Sequence, residues 1–217
     1  MSKPTSKITR TINSEQVLTA FVAVVRKNLP LNLKNTRITE DDIIYALAYA
    51  NVHRLSIESA CQELQGAPSG NRLREVLVDA LPDRIGMQRM LNRMFRQQLH
   101  PSIWKGKRDF NIAIDLTLIP YHGQPYEDKK EIVRSLPKSG TTHFHGYATV
   151  SIVRDDRRYV VALHFIEYGE EMADIVRWLI KRLKTLKIRI RRVFLDKGFC
   201  SKPVFKVLNQ HKLSYIT

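Results

Sequence analysis

The chain is poor in cysteine: Cys61 and Cys200 are the only two among 217 residues, far apart and outside any CxxC spacing. That excludes a disulfide framework and a cysteine-ligated zinc site, and it fits a reducing compartment. Long apolar runs are also missing. The longest, Val17–Val25, is broken by Thr19 and falls far short of the ~20 residues that a membrane-spanning helix needs. The first residues have no apolar stretch followed by a small-residue cleavage site, so secretion is not expected. No internal repeat or low-complexity tract is visible. What the chain does have is 43% hydrophobic residues, enough for a real core, which excludes wholesale disorder. Its length suits one or two domains.

Charge is the strongest compositional feature. There are 36 Lys and Arg against 21 Asp and Glu, a formal charge of +15. It is not evenly spread: residues 1–37 carry +6, 38–109 carry +1, 110–168 carry zero and 169–217 carry +8. Charge concentrated at two ends reads as an electrostatic footprint for a polyanion. Nucleic acid is favoured over a membrane surface, because no basic amphipathic helix carries the exposed Trp, Phe or Leu of an interfacial anchor.

Periodicity divides the chain into two textures. Residues 1–13 read as a basic, flexible arm, and a helix follows over 14–28 with Ser14 as its cap. Together 1–37 form the arm and first helix. Helices are then predicted from Thr39 to about Asn51, over Ile57–Leu64 behind the cap Ser56, from Asn71 to Leu81, and over Arg84–Leu99. The last has Ile85, Met87, Leu91, Met94 and Phe95 inward and Arg89, Arg93 and Arg96 outward. This region, 38–104, is compatible with a helix-turn-helix bundle that binds DNA; an ordinary helical bundle with a solvated Arg face is the alternative. Lys105–Asp109 reads as a linker.

From 108 to 217 the pattern becomes β, β, β, α, β, α, β. Strands are predicted over Phe110–Ile119, Thr141–Val153, Arg158–Ile166, Ile188–Leu195 and from Ser214. The Gly123–Pro125 loop, a charged excursion over Glu127–Ser139 and an Asp155–Asp156 turn separate the first three. Helices cover Glu170–Leu186 and Lys202–Gln210. This order suggests a mixed sheet with helices on its faces, an α+β or α/β domain.

Two carboxylates stand out. Asp115 lies within an apolar strand, where a buried carboxylate is costly unless paired or metal-bound. Asp196 ends another apolar strand, and sites form at the carboxyl ends of strands in open sheets. Two such carboxylates suit Mg2+ or Mn2+, which take oxygen ligands and promote phosphodiester chemistry. The structural alternative is that Asp196 caps the following turn and Asp115 pairs with a lysine. A basic run surrounds the second: Arg177, Lys181 and Lys184 on one helix face, then Arg189, Arg191 and Arg192 before Asp196, and Lys197 after it. Contacts to phosphate are one reading and a solvated helix face is the other.

The stretches AIDLTLIPYHG (Ala113–Gly123), GTTHFHGYATV (Gly140–Val150) and VFLDKGFCS (Val193–Ser201) resemble the catalytic domain of DDE-type transposases of bacterial and archaeal insertion sequences, in particular a haloarchaeal and cyanobacterial group. Residues 38–100, with SIESACQEL (Ser56–Leu64), are similar to that group's N-terminal helical region. The resemblance implies a ribonuclease-H-like fold and two magnesium ions held by three carboxylates. It implies cleavage at transposon ends and strand transfer to target DNA. It also implies a homo-oligomer working in the cytoplasm, at the nucleoid. Asp115 matches the first carboxylate and Asp196 the second. The third, a Glu in a Tyr–Arg–Glu–Lys context well downstream, has no match before Thr217. The expectation is therefore an N-terminal part of a transposase whose catalytic domain is incomplete and inactive alone.

Two other readings stay open. One is a non-catalytic DNA-binding protein or inhibitor derived from a transposase. The other is a nuclease built on His143–Phe144–His145, whose imidazoles share a strand face, with Tyr168 or Tyr215 as nucleophile. His122 is a candidate hydrogen-bond donor near the site. All DNA-binding readings share one consequence: in a gel shift with duplex DNA, log K falls with log salt, with a slope of about −0.9 per phosphate neutralised. A flat line removes them together.

Overall fold

The computed structural model describes residues 13–34, 36–100, 103, 109–123, 129–154 and 157–217. The expected basic arm (residues 1–12), most of the linker (105–108), the Pro125 part of the loop and the Asp155–Asp156 turn lie outside the described residues. The chain divides into two compact units, Met1–Pro82 and Asp83–Thr217.

The first unit holds four helices: α1 (Ser14–Asn28), α2 (Glu40–His53), α3 (Ile57–Glu63) and α4 (Gly70–Ala80). Each begins at a residue whose side chain accepts from an orphan N–H of the first turn. Asn13, rather than Ser14, caps α1, in a reciprocal capping box with Gln16. Thr39 and Asp42 form the same box on α2. Ser56 caps α3 and Ser69 caps α4. The helices share a core of Leu31, Ile38, Ile43, Ala46, Cys61, Leu73, Val76, Leu77 and Ala80. Helices α3 and α4 touch backbone to side at Gly70, where an added Cβ would lie 2.5 Å from the Cα of Glu58. Only a residue with no side chain fits that contact.

The second unit begins with α5 (Arg84–Gln98), capped by Asp83. Strand β1 (Asp109–Pro120) follows, then β2 (Val133–Lys138), β3 (Thr141–Arg154) and β4 (Arg157–Ile166). Helix α6 (Met172–Thr185), β5 (Arg189–Leu195), α7 (Lys202–Gln210) and β6 (Tyr215–Ile216) complete the unit. The long strand β3 pairs antiparallel with β1 on one side, and with β2 and then β4 on the other. Strand β5 runs parallel to β1, and β6 parallel to β5. The main sheet order is thus β4-β3-β1-β5-β6, three antiparallel strands followed by parallel ones. This is the ribonuclease-H-like arrangement.

One face of the sheet is the core. Phe110, Ile112 and Ile114 of β1, Ala148, Val150 and Ile152 of β3, and Val193 and Leu195 of β5 pack against α6 and α7. Helix α6 contributes Ile175, Val176, Leu179, Ile180 and Leu183, all fully buried, each worth roughly 1.5–3 kcal/mol by removal from water.

Strand β2 replaces the expected charged excursion. Its Pro137 and exposed Arg134, Leu136 and Lys138 break any alternation, so no strand pattern is visible in the sequence. Tertiary pairing with β3 makes it a strand.

Helix α5 also differs from its sequence pattern. Ile85 is exposed, and the residues facing β4 are polar. Arg84 donates to the Ile166 carbonyl at 2.6 Å, and Gln88 accepts from the Phe165 N–H at 2.6 Å. The Asn92 amide both accepts from the Leu163 N–H (2.9 Å) and donates to its carbonyl (2.8 Å). Four residues of helix advance about 6 Å, close to the two-residue repeat of a strand. A helix can therefore satisfy the open edge of β4 one amide at a time, and α5 belongs to the sheet unit, whereas the expected division grouped it with 38–104. Asn92→Leu leaves both Leu163 backbone groups unpaired. It should cost about 2–4 kcal/mol in denaturant unfolding and raise hydrogen exchange at the Leu163 amide, while Arg93→Leu on the exposed side should do neither.

Candidate catalytic face

Strand alternation decides which side chains share the sheet's second face. Along β1 these are Asn111, Ala113, Asp115, Thr117 and Ile119, the set between the core positions. Asp115 is exposed there, rather than buried as its apolar neighbours suggested. The alternation that sinks Ile112 and Ile114 turns it outward. The cost of a buried carboxylate therefore does not arise.

Asp196 reaches the same face from β5. Ile112 pairs with Val193 and Ile114 with Leu195 in parallel register. The Asp196 N–H then donates to the Ile114 carbonyl at 3.0 Å. The next pair in that register is Asp115 with Asp196, on strands about 4.8 Å apart. Asp196 is half-buried and extended (φ −65°, ψ 149°), and the short 3-10 turn Lys197–Phe199 follows it. Its side chain makes no capping bond to that turn, and among the described residues neither carboxylate enters an ion pair. Both structural alternatives raised by the sequence thus lack a partner there. Gly198 lies over Leu116, with a built Cβ only 2.6 Å from that side chain, so the turn presses closely on β1.

Strand β3 completes the face. Thr149 lies opposite Asp115, Tyr147 opposite Thr117 and His145 opposite Ile119. Sequence reading passed over Thr149 and Tyr147, because their proximity is set by strand register alone. Burial pushes the Tyr147 phenol up, and its ring meets Phe165 edge-on at 5.3 Å. His143 and His145 do share this face, but neither tyrosine of the two-histidine reading accompanies them. Tyr215 stacks on Phe205 of α7, on the helix-covered side of the sheet. Tyr168 lies beyond the end of β4, its N–H bonded to the Lys130 carbonyl at 2.8 Å. No group of three His, Cys, Asp or Glu suited to a metal forms among the described residues.

The basic residues fall into separate patches. Arg192 lies on the carboxylate face, four residues up β5 from Asp196, about 13 Å at 3.3 Å per residue. Lys197 is exposed beside Asp196. Arg189, paired with Asp109 at 2.8 Å, is some 23 Å from Asp196 along the strand. Arg191 sits where the β1–β5 register slips. Arg177, Lys181 and Lys184 are exposed on the outer side of α6, which covers the opposite face. There Arg177 pairs with Asp174, and Lys184 lies 3.0 Å from His211 Nδ1. Burial, then Lys184, hold the His211 pKa down. Arg89, Arg93 and Arg96 are exposed along α5. Of the expected site residues, Asp115 and Asp196 are neighbours by strand register, Lys197 follows Asp196 in the chain, Arg192 lies farther along the same face, Arg189 and Arg191 lie at the far end of β5, and those of α5 and α6 form two patches elsewhere.

Residues 111–217 match the family described as Transposase DDE domain. Among solved structures, the piggyBac transposase synaptic complex with hairpin DNA is similar over 95% of this chain and 41% of that one, at 14% identity and a TM-score of 0.41. The Mos1 transposase paired-end complex with left transposon end is similar over 85% and 60%, at 11% identity and a TM-score of 0.26. The chain thus spans less than two thirds of either. No curated protein matches it in sequence. No helix among the described residues is long and apolar enough to cross a membrane.

A half-buried ionisable pair supports the sheet from the other side. His164 Nε2 and Glu170 Oε1 are 2.7 Å apart, with the His164 ring against Trp178 at 4.8 Å. Desolvation pushes the Glu170 carboxyl up, but the His164 contact and the Glu167 N–H outweigh it and hold the pKa below the ordinary value. A depressed carboxylate pKa stabilises the fold above its unfolded value and loses that stability as pH falls through the folded one. Stability should therefore fall with pH below about 4.3, the ordinary glutamate value, and Glu170→Gln should flatten that part of the profile in pH-dependent melting.

Proposed function

We propose that this chain is a DNA transposase, or a portion of one, in which Asp115 and Asp196 bind a divalent ion for phosphodiester cleavage and strand transfer. The observation that carries this reading is the register: the parallel β1–β5 ladder sets the two carboxylates side by side on an accessible polar face. The donor set fits the group. Magnesium is held by one or two carboxylates, with waters and substrate phosphate oxygens filling its remaining positions. When bound there, such an ion activates the attacking oxygen and stabilises the leaving one.

The chain's own residues do the rest. Lys197 and Arg192 draw the phosphodiester backbone across the carboxylate face. Thr149, opposite Asp115, offers a hydroxyl beside the reacting position. The resemblance to insertion-sequence transposases calls for a third carboxylate on a later helix. Glu170 and Glu171 precede Asp196 in the chain, and Glu170 is engaged with His164 at the start of α6. The outer patches on α5 and α6 are read as further phosphate contacts, and magnesium is the expected ion.

Manganese titration by calorimetry tests the metal assignment. Asp115→Asn and Asp196→Asn should each weaken binding at least about tenfold, the scale of a lost charged ligand, whereas Glu171→Gln should not. Equal affinity in all three variants overturns the assignment.

A further inference from the structure

Strand β2 and the start of β3 form a two-stranded ribbon at the C-terminal end of β1. Ser139 and Gly140 turn it, with φ of 53° and 77°, the two positive values of a tight hairpin turn. Arg134 pairs with His143 and Lys138 with Thr141, and the register slips between them. Ser135, Leu136 and Pro137 occupy that irregular stretch. Leu136 is 84% exposed, the most exposed large apolar residue among those described.

A single exposed leucine is ordinary; its setting here is not. Pro137 follows it, so the stretch is apolar and short of one N–H donor. Arg134 and Lys138 flank it, both exposed. Residues 129–138 hold four Lys or Arg against Glu131 alone, net +3, inside a stretch (110–168) that is neutral as a whole. The ribbon is also braced against the end of β1 close to its turn. The Tyr121 N–H donates to the His143 carbonyl at 2.8 Å, and the Thr141 hydroxyl donates to the Tyr121 carbonyl at 2.9 Å. The Tyr121 ring meets His145 edge-on at 5.3 Å, and Phe144 is fully buried.

An apolar bulge between cations on a stiff support is the arrangement that pries base steps apart. The cations hold phosphates on either side, and the apolar side chain takes the place of a stacked base. Through its pairing with β3, Leu136 lies about seven residues beyond the level of Asp115, about 23 Å of strand, which spans about seven base pairs at 3.4 Å each. We infer that Leu136 and Pro137 form a wedge that unstacks a base step of double-stranded DNA about seven base pairs from the carboxylate pair. The inference rests on the transposase reading and adds to it a second, non-catalytic action on the same duplex. A protein partner is disfavoured by the cationic flanks.

Short duplexes with 2-aminopurine placed at successive TA steps, which unstack most readily, provide the test with the full chain. Binding should brighten one step several-fold. Leu136→Ala should lose most of that signal while duplex affinity by anisotropy changes less than about threefold and the circular dichroism spectrum stays the same. Leu136→Met, of similar volume, should keep it. Lys138→Ala should instead weaken binding and lower the salt slope by about one. A duplex that binds but brightens at no step, or brightens equally with Leu136→Ala, overturns the wedge and leaves the transposase reading standing. A chain that binds no duplex at all overturns both.

Discussion

The parallel pairing of β1 with β5 is the constraint on which the catalytic half depends. It joins two strands 69 residues apart in sequence, Asp109–Pro120 and Arg189–Leu195 counted from the end of one to the start of the other. A slip of one residue would send Val193 and Leu195 to the polar face and Asp196 into the core. The apolar partners Ile112–Val193 and Ile114–Leu195 exclude that slip, because burying them against α6 and α7 is far more favourable than burying a carboxylate. Hydrophobic register on one face thereby fixes carboxylate placement on the other.

The same economy governs the sheet's boundaries. One face is covered by α6 and α7, and the edge of β4 is closed by Arg84, Gln88 and Asn92 rather than by another strand. An exposed strand edge invites pairing with other chains, and side-chain amides at helical spacing remove it without adding apolar surface. What stays accessible is the polar face, with Asp115 and Thr117 exposed and Tyr147, Thr149 and His145 half-buried. Function in the proposed reading is confined to the part of the sheet that packing does not need.

Charge is organised by these constraints too. The run from Arg177 to Arg192 is continuous in sequence but is split by the turn between α6 and β5. Its first part lies on the outside of the helix layer, and Arg192 alone joins the carboxylate face. Proximity in sequence to Asp196 is therefore a poor guide to which cation meets a substrate phosphate, since a strand carries its residues 3.3 Å further away at each step.

Much of the architecture was legible without the tertiary structure. The helices at 14–28, 39–51 and 170–186, the alternation of β1 and the two aspartates all follow from periodicity and local chemistry, because a helix cap or an alternating strand is decided within a few residues. Other features were not. Strand β2 has no pattern of its own and exists through its pairing with β3. Asn92 lies outside the apolar set predicted for α5 yet is buried against the edge of β4. Asp115 reads as a buried charge yet is exposed. In each case the deciding partner lies far along the chain. The sequence by itself determined which residues carry chemistry and charge. The tertiary structure alone decided which of them meet, because strand register and edge closure are set by long-range burial and hydrogen bonding.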